Sequence, residues 1–186
     1  MSYSINSFIN TDKETASYEK RLSICTKSNG FSFSVVSNGG ELLSLGDVEC
    51  EMSSSISQLL NTVKGVFNEL DLKTFGFNET ELVVPARHFV WIPVHLYDEN
   101  KNREYIEAIH KLDVGESVVA DYNAAAGAYL VFAADTNLIS AFRIAVAGVK
   151  IRAQHSKLVN ADIMDASNMK SLMLLNLRDG ETDFTV

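Results

Sequence analysis

Histidines and cysteines are the residues in this chain whose types could bind a metal, and their spacing decides whether they do. The four histidines are His88, His95, His110 and His155. No two of them share the local spacing of a ligand pair, so each is interpreted as a surface or core residue. Cys25 and Cys50 form no C-x-x-C motif and lie near no histidine at ligand spacing. The sequence therefore predicts neither a metal site nor a disulfide framework.

Motifs for covalent catalysis or dinucleotide binding do not occur either. The chain contains no G-x-S-x-G elbow for a serine nucleophile, and no G-x-G-x-x-G follows a predicted strand. Asn38-Gly39-Gly40 is the most glycine-rich site, and it is better explained as a turn. A pair of catalytic carboxylates stays open as an alternative, because such residues meet in space rather than in sequence. The motifs taken alone therefore predict no reaction.

Composition limits the class of partner and the compartment. The chain has 186 residues, of which 46% are hydrophobic and 22% charged, so a packed domain is expected. Its formal net charge of −8 opposes binding to nucleic acid or to anionic membranes. The first residues do not resemble a secretion signal, and the longest apolar runs fall far short of the roughly 20 residues that span a bilayer. We therefore expect a cytoplasmic protein with reduced cysteines.

The elements that position any site begin after a polar N-terminal arm, Met1–Lys20. Alternating apolar residues between Leu22 and Val48 predict an antiparallel meander of three strands. Asn29-Gly30 and Asn38-Gly39 are predicted to supply the positive φ angles of its two turns. A stripe of apolar residues from Ile56 to Leu70, preceded by serines that can cap, predicts a helix lying across this meander.

Further elements follow in alternation. Strands are predicted at Glu81–Pro85, Val118–Tyr122, Ala128–Ala134 and Lys150–Gln154, and helices at Glu99–Leu112, at 136–147 after a cap at Asp135, and at His155–Ala166. The helix capped by Asp135 is expected to form a β-α-β unit with the strand before it and the strand after it. The apolar residues of 86–97 fit neither the period of a helix nor that of a strand. Trp91, which lies in this stretch, either fills a core or forms a docking patch. Leu172–Leu177 and Thr182–Val186 predict a closing hairpin around Asp179-Gly180.

This order predicts an α/β fold of the ribonuclease-H-like class, with a meander, a crossing helix and then alternating strands and helices. The chain resembles the actin-like ATPase superfamily of actin, Hsp70 and sugar kinases. Within that superfamily it resembles a group of Bacteroidetes proteins of unknown function. The resemblance rests on the hairpins of Leu22–Val48, on Leu82–Pro85 with Phe89, on Tyr129–Leu158 and on Leu172–Val186. It covers about residues 20–186.

The resemblance implies two similar halves that each open with a hairpin. On this basis we expect a first domain at residues 21–168 and, at 169–186, the opening hairpin of a truncated second domain. In the superfamily the hairpin turns grip phosphates through loops of the D-x-G-x-T kind. The corresponding residues here are Lys27, Ser28, Asn29 and Gly30 in the first loop and Asn176, Asp179, Gly180 and Thr182 in the second. Both loops lack the leading aspartate, and Asn176 occupies that place in the second.

Two functions from different classes follow. The first is a catalytically silent scaffold or binding protein that needs no cofactor and has an unidentified protein partner. The second is a divergent phosphotransferase or ATPase that uses ATP and magnesium and has its remaining site residues beyond Val186. Self-association through the open edge of the closing hairpin is a third possibility.

Overall fold

The computed structural model of the chain describes residues 3–10, 19–52, 55–72, 76–86 and 88–153, and the backbone of residues 174–178 and 181–185. The chain divides into two compact units, which are described separately. The first unit contains Met1–Pro85, Asp113–Ser117 and Ala134–Arg152, and the second contains Ala86–Leu112, Val118–Ala133 and Ala153–Val186. The domain boundary predicted at 168/169 lies outside the described residues.

Strands and helices alternate through much of the described chain. The strands are β1 (Tyr3–Asn10), β2 (Lys20–Lys27), β3 (Gly30–Ser37), β4 (Leu42–Cys50), β5 (Glu79–Val84), β6 (Phe89–Pro93), β7 (Glu116–Asn123), β8 (Ala128–Asp135), β9 (Lys150–Ala153), β10 (Leu174–Arg178) and β11 (Glu181–Thr185). The α-helices are α1 (Ile56–Glu69), α2 (Asn102–Glu107) and α3 (Thr136–Ala145). The predicted α/β class is confirmed.

A six-stranded sheet in the order β1-β4-β3-β2-β5-β9 organises the first unit. Its pairs β1–β4, β4–β3 and β3–β2 are antiparallel, whereas β2 and β5 run parallel. The predicted meander is thus confirmed as β2, β3 and β4. Phe31, Phe33 and Val35 lie on one face of β3 and are each at most 2% exposed, as the alternating pattern predicted.

The first turn of the meander lies one residue earlier than the sequence predicted. Lys27 pairs with Gly30, so Ser28 and Asn29 form a two-residue turn and Gly30 is the first residue of β3. Gly30 has a φ of +150°, and a Cβ atom there would lie 2.0 Å from the Val48 carbonyl oxygen. The position therefore requires glycine both for its backbone angle and for the close approach of β4.

The second turn also places its positive φ elsewhere than predicted. The residue with this angle is Gly40, at +84°, and neither Asn38 nor Gly39 has a positive φ. The sequence signal located the turn but not the residue that adopts the strained angle.

The polar arm contains a strand that the sequence did not predict. Strand β1 pairs antiparallel with β4, and its register shifts between Ile5 and Ser7. The Tyr3 hydroxyl donates a hydrogen bond to Glu69 Oε2 of α1 at 2.6 Å, which raises the pKa of the Tyr3 phenol. All residues of β1 are exposed or half-buried, and the Phe8 ring lies 6.2 Å from the ring of the buried Phe33, measured between centroids.

Helix α1 follows the predicted apolar stripe. It begins after the N-cap Ser55, whose backbone N–H donates to Gln58 Oε1 at 3.1 Å. The buried residues of the helix are Leu59, Val63, Val66 and Phe67. Leu60, which the stripe also included, is only half-buried, so the centre of the apolar face passes through Leu59 instead.

Helix α3 lies against α1 and closes the core of the first unit. The Phe142 ring meets the Phe31 ring edge to face, with centroids 5.5 Å apart and an interplanar angle of 90°. The predicted cap is confirmed, because Asp135 Oδ1 accepts a hydrogen bond from the Leu138 N–H at 2.8 Å.

Replacing Asp135 with alanine should lower the free energy of unfolding by about 1 kcal/mol, because the Leu138 N–H loses its acceptor. Urea denaturation followed by circular dichroism measures this change. Asp135→Asn is the matched control, since asparagine caps helices about as well as aspartate does. Equal losses in both variants would show that the cap does not supply the stability.

The second unit is built on a three-stranded sheet in the order β6-β8-β7. The predicted neighbours β7 and β8 are therefore confirmed, and the unassigned stretch 86–97 contains β6 and a 3₁₀ turn at Val94–Leu96. Ile106 of α2 is fully buried against Val131 and Ala133 of β8. These three residues form the core of the unit.

Two sequence predictions about this region are wrong. The helix predicted at Glu99–Leu112 is shorter, because Asp98 caps a 3₁₀ turn at Glu99–Lys101 and α2 then ends at Glu107. Ile109, which lies within the predicted range, follows the end of α2 and is 57% exposed. The predicted β-α-β unit does not form, since β8 pairs with β6 and β7 while β9 joins the six-stranded sheet.

The closing hairpin is confirmed in its strands. Strands β10 and β11 pair antiparallel, with Leu174 opposite Thr185 and Arg178 opposite Glu181. Asp179 and Gly180 lie outside the described residues, as does the helix predicted at His155–Ala166. In the described part of the chain, no helix has both the length and the apolarity needed to cross a membrane.

Candidate functional site

The first predicted phosphate loop is the tight turn between β2 and β3. Lys27 ends β2, Ser28 and Asn29 form the exposed corner, and Gly30 begins β3. The Asn29 carbonyl accepts a hydrogen bond from the Cys50 N–H at 2.9 Å, so the end of β4 supports the turn. The turn therefore lies at the carboxyl end of β2, beside the carboxyl end of the parallel strand β5.

Lys27 forms an ion pair with Asp47 of β4. Strand β3 lies between their strands and presents the small residues Gly30 and Ser32 there, which pair with Glu49 and Asp47 of β4. The lysine chain therefore crosses β3 to reach the carboxylate. Both side chains are about one third exposed, at 35% and 31%. The pair cancels the charge that would attract a phosphate, and it places a carboxylate beside the turn.

Thr26 is also engaged within the protein. Its hydroxyl is buried and donates a hydrogen bond to the Val83 carbonyl of β5 at 3.3 Å. This bond reinforces the parallel pairing of β2 with β5, and it occupies the hydroxyl nearest to the turn in β2. The first loop thus uses its threonine and its lysine for structure.

The nearby cysteine is not prepared for nucleophilic chemistry. Burial raises the pKa of the Cys50 thiol, and the charge of Lys27 opposes this effect to a smaller degree. A raised pKa favours the thiol over the reactive thiolate at neutral pH. Neither Cys25 nor Cys50 forms a disulfide bond.

The second predicted loop is described only in its flanking strands. Asn176 lies in β10 opposite Asp183 of β11, and Thr182 lies in β11 opposite Leu177. Asp179 and Gly180, at the corner, are outside the described residues. Asn176 and Thr182 therefore occupy adjacent rows of one hairpin.

Sequence reasoning missed a pair of histidines in the second unit. The rings of His88 and His110 are stacked, with centroids 3.6 Å apart and an interplanar angle of 4°. Ring nitrogen lone pairs lie in the ring planes, so two parallel stacked rings do not direct them at a common metal ion. The residues are 22 positions apart and share no local pattern, and His95 remains exposed in its 3₁₀ turn.

A cluster of tyrosines lies on one face of the sheet in the second unit. Tyr129 of β8 stacks on Tyr97 at 3.7 Å and contacts Tyr122 of β7 at 5.0 Å between ring centroids. The Tyr105 hydroxyl donates to the Leu96 carbonyl at 3.1 Å, which fixes the segment that carries Tyr97. We refer to Tyr97, Tyr122 and Tyr129 as the tyrosine cluster. Tyr122 is 47% exposed, so the cluster reaches the surface.

Two exposed apolar side chains lie in the 3₁₀ turn directly before Tyr97. Val94 is 50% exposed and Leu96 is 63% exposed. Trp91, the sequence candidate for a docking patch, is half-buried in β6 opposite Leu130. The most exposed apolar residues near the tyrosine cluster are therefore Val94 and Leu96, which follow Trp91 in the chain, and Trp91 is not among them.

The fold has a counterpart of known structure. A crystal structure of a Bacteroides thetaiotaomicron protein, described as having an actin-like ATPase fold and unknown function, superposes with a TM-score of 0.74 at 19% sequence identity. The match covers 94% of this chain and 68% of that one. At this identity the similarity shows the fold, which confirms the actin-like ATPase fold that the resemblance implied.

Sequence comparison identifies the family. No curated protein is detectably similar to the chain. The model of a family described as protein of unknown function, DUF3822, matches residues 10–186. This match spans almost the whole sequence, and the chain therefore belongs to the DUF3822 family.

Proposed function

We propose that this protein is a catalytically silent binding or scaffold protein built on an actin-like ATPase fold. The observation that carries the proposal is the ion pair of Lys27 with Asp47. Phosphate loops work by presenting unpaired donors and positive charge to the ligand. Here the cation of the first loop is neutralised, and a carboxylate that would repel phosphate lies beside it.

The missing leading aspartate of each loop supports the same proposal. A metal-assisted transfer of phosphate needs carboxylates to hold the cation and to position the attacking water. The end of β2 reads Cys25-Thr26-Lys27, and the end of β10 carries Asn176. An asparagine can orient a water molecule but adds no negative charge for a divalent cation. The proposed function therefore requires neither ATP nor magnesium.

The partner that fits this protein is another protein. Tyrosine is enriched at the centres of protein interfaces, and the tyrosine cluster offers stacked rings at the surface. The net charge of −8 disfavours nucleic acid and anionic membranes as alternatives. Two cysteines that form no disulfide are in keeping with a cytoplasmic location, which we include in the proposal. We further propose that β10 and β11 open a second half, because their order repeats that of β2 and β3.

A divergent ATPase or phosphotransferase is the second candidate. It is favoured by the similarity to an actin-like ATPase fold and by the position of the β2–β3 turn at the carboxyl ends of parallel strands. Under this alternative Lys27 would have to leave Asp47 to meet a phosphate. ATP and magnesium would then be the cofactors.

Hydrolysis of ATP separates the two candidates. Phosphate release is measured with magnesium for the full chain, for Lys27→Ala and for Asn176→Ala. We expect equal background rates in all three proteins, because no group in either loop takes part in a reaction. A magnesium-dependent rate that disappears in either variant would contradict the proposal and establish the alternative.

A further inference from the structure

Helix α2 covers only part of one face of the sheet in the second unit. Ile106 of α2 packs on Val131 and Ala133 of β8, which are at most 6% exposed. Tyr129 precedes Val131 by two positions in the same strand, so it lies on the same face. Tyr122 of β7 contacts Tyr129 and is 47% exposed. The face therefore continues as open aromatic surface beside the part that α2 covers.

The phenol hydroxyls of the tyrosine cluster differ from that of the neighbouring Tyr105. The Tyr105 hydroxyl donates to the Leu96 carbonyl at 3.1 Å and accepts from the Asp98 N–H at 3.1 Å. Among the residues that the structure describes, no hydroxyl of the cluster has a hydrogen-bond partner. A phenol oxygen can both donate and accept a hydrogen bond. The cluster therefore offers ring faces and polar groups to another molecule.

Two carboxylates follow the cluster in the chain. Asp98 and Glu99 come directly after Tyr97, and Glu99 is exposed. The Asn100 backbone N–H donates to Asp98 Oδ1 at 3.0 Å, which lowers the pKa of this carboxyl and keeps it ionised at neutral pH. Lys101 adds a single positive charge nearby, and the chain as a whole carries a net charge of −8. The charge of this surface therefore favours a cationic partner.

We propose that the tyrosine cluster, together with Asp98 and Glu99, binds an extended, arginine-bearing segment of a partner protein. One guanidinium of this segment stacks on the exposed Tyr122 ring, and another meets the carboxylates that follow Tyr97. A cation over a tyrosine ring is attracted by the negative face of the ring. The inference rests on the proposed function, because it names the chemistry of the protein partner.

Arginine fits this surface better than lysine does. Its planar guanidinium stacks on aromatic rings, and its N–H donors can meet phenol and carboxylate oxygens, whereas the ammonium group of lysine is compact and strongly hydrated. The ring centroids of the cluster are separated by 3.7 and 5.0 Å. An extended chain advances about 3.3 Å per residue. Two arginines with one residue between them can therefore reach both Tyr97 and Tyr122.

Fluorescence polarisation with a labelled peptide tests the inference. The probe is a short peptide of alternating arginine and glycine, which places its arginines on one face when it is extended. Two comparison peptides of the same length carry glutamate or proline in place of arginine. We expect the arginine peptide to bind at physiological ionic strength and the other two peptides not to bind.

Variants of Tyr122 test the stacking. Tyr122→Leu removes the ring at an exposed position. We expect the Kd for the arginine peptide to rise about two- to fivefold, which corresponds to the loss of an exposed cation–π contact. Tyr122→Phe keeps the ring and should bind the peptide more tightly than Tyr122→Leu. Equal weakening in the two variants would overturn the stacked arrangement.

A pair of glutamate variants tests the carboxylates. Glu99→Gln and Glu41→Gln each remove one negative charge at an exposed position, and Glu41, which precedes β4, is not part of the proposed surface. Only Glu99→Gln should weaken binding of the arginine peptide. Equal weakening in both variants would show that net charge alone attracts the peptide, and would overturn the inference.

Two further results would overturn the inference. Preferential binding of the proline peptide would assign the tyrosine cluster to an uncharged segment, and no binding of the arginine peptide would rule out the proposed partner chemistry. Neither result bears on the proposed function, which fails instead if the chain hydrolyses ATP in a magnesium-dependent way. The two tests can therefore fail separately.

Discussion

Leu59→Asp is expected to lower the free energy of unfolding by about 4 kcal/mol, the largest effect of any substitution considered for this protein. Leu59 is 1% exposed and lies on the buried face of α1. An aspartate there either buries an unpaired charge or takes up a proton, and in both cases the packing of the leucine is lost. Thermal unfolding followed by circular dichroism should show a melting temperature lower by on the order of 10 °C.

Leu60→Asp is the matched control for this prediction. Leu60 neighbours Leu59 in the helix but is half-buried, so its carboxylate can remain hydrated. We expect a loss of about 1 kcal/mol. The apolar stripe in the sequence includes both residues and predicts a loss of several kcal/mol for Leu60→Asp. If the two variants lose the same free energy of unfolding, Leu60 is as buried as the sequence pattern predicts, and the structure is contradicted.

Gly30→Ala should lower the free energy of unfolding by roughly 3 kcal/mol. The added Cβ would lie 2.0 Å from the Val48 carbonyl oxygen, a distance that requires the backbones of β3 and β4 to move apart. The φ of +150° adds strain for any residue with a side chain. Chemical denaturation monitored by circular dichroism measures the change.

Gly39→Ala provides the control in the next turn of the same meander. A Cβ atom at Gly39 would meet the Ser37 Oγ atom at 3.6 Å, an ordinary contact, and Gly39 has no positive φ. We expect a change within about 0.5 kcal/mol for this variant. A Gly30→Ala protein as stable as Gly39→Ala would show that β4 does not approach the first turn as closely as described.

Local patterns were sufficient for the meander and for α1. Strands β2 and β3 alternate strictly, and the stripe of α1 recurs at helical spacing over four turns, so burial on one face fixes each element. Strand β1 escaped this reasoning because its register shift between Ile5 and Ser7 breaks the alternation. Its apolar residues Ile5, Phe8 and Ile9 then show no period of two.

Pairing between distant segments could not be predicted in the same way. The ion pair of Lys27 with Asp47 depends on the register of three strands and on the small residues of β3 between them. The stacked rings of His88 and His110 likewise depend on tertiary structure alone. Strand β8 was expected to continue into β9 through α3, but its neighbours β6 and β7 decide its sheet.

These long-range contacts also decide what the candidate site can do. Sequence reasoning found the turn of the first phosphate loop and the missing acids. It could not show that Asp47 neutralises Lys27 or that Thr26 donates to Val83. These two contacts therefore support the proposed silence of the loop, in addition to the absent aspartate.

The measurement that tests this account most directly is the thermal stability of the full chain with millimolar ATP and magnesium. A ligand that binds the native state at a concentration of a hundred times its Kd adds about 2.7 kcal/mol, which corresponds to roughly 5–10 °C for a chain of this size. With Lys27 paired to Asp47 we expect a shift below about 1 °C, no larger than that given by magnesium alone. A rise of several degrees that is lost in Lys27→Ala would contradict the account, because it would show that the loop releases Lys27 to bind the nucleotide.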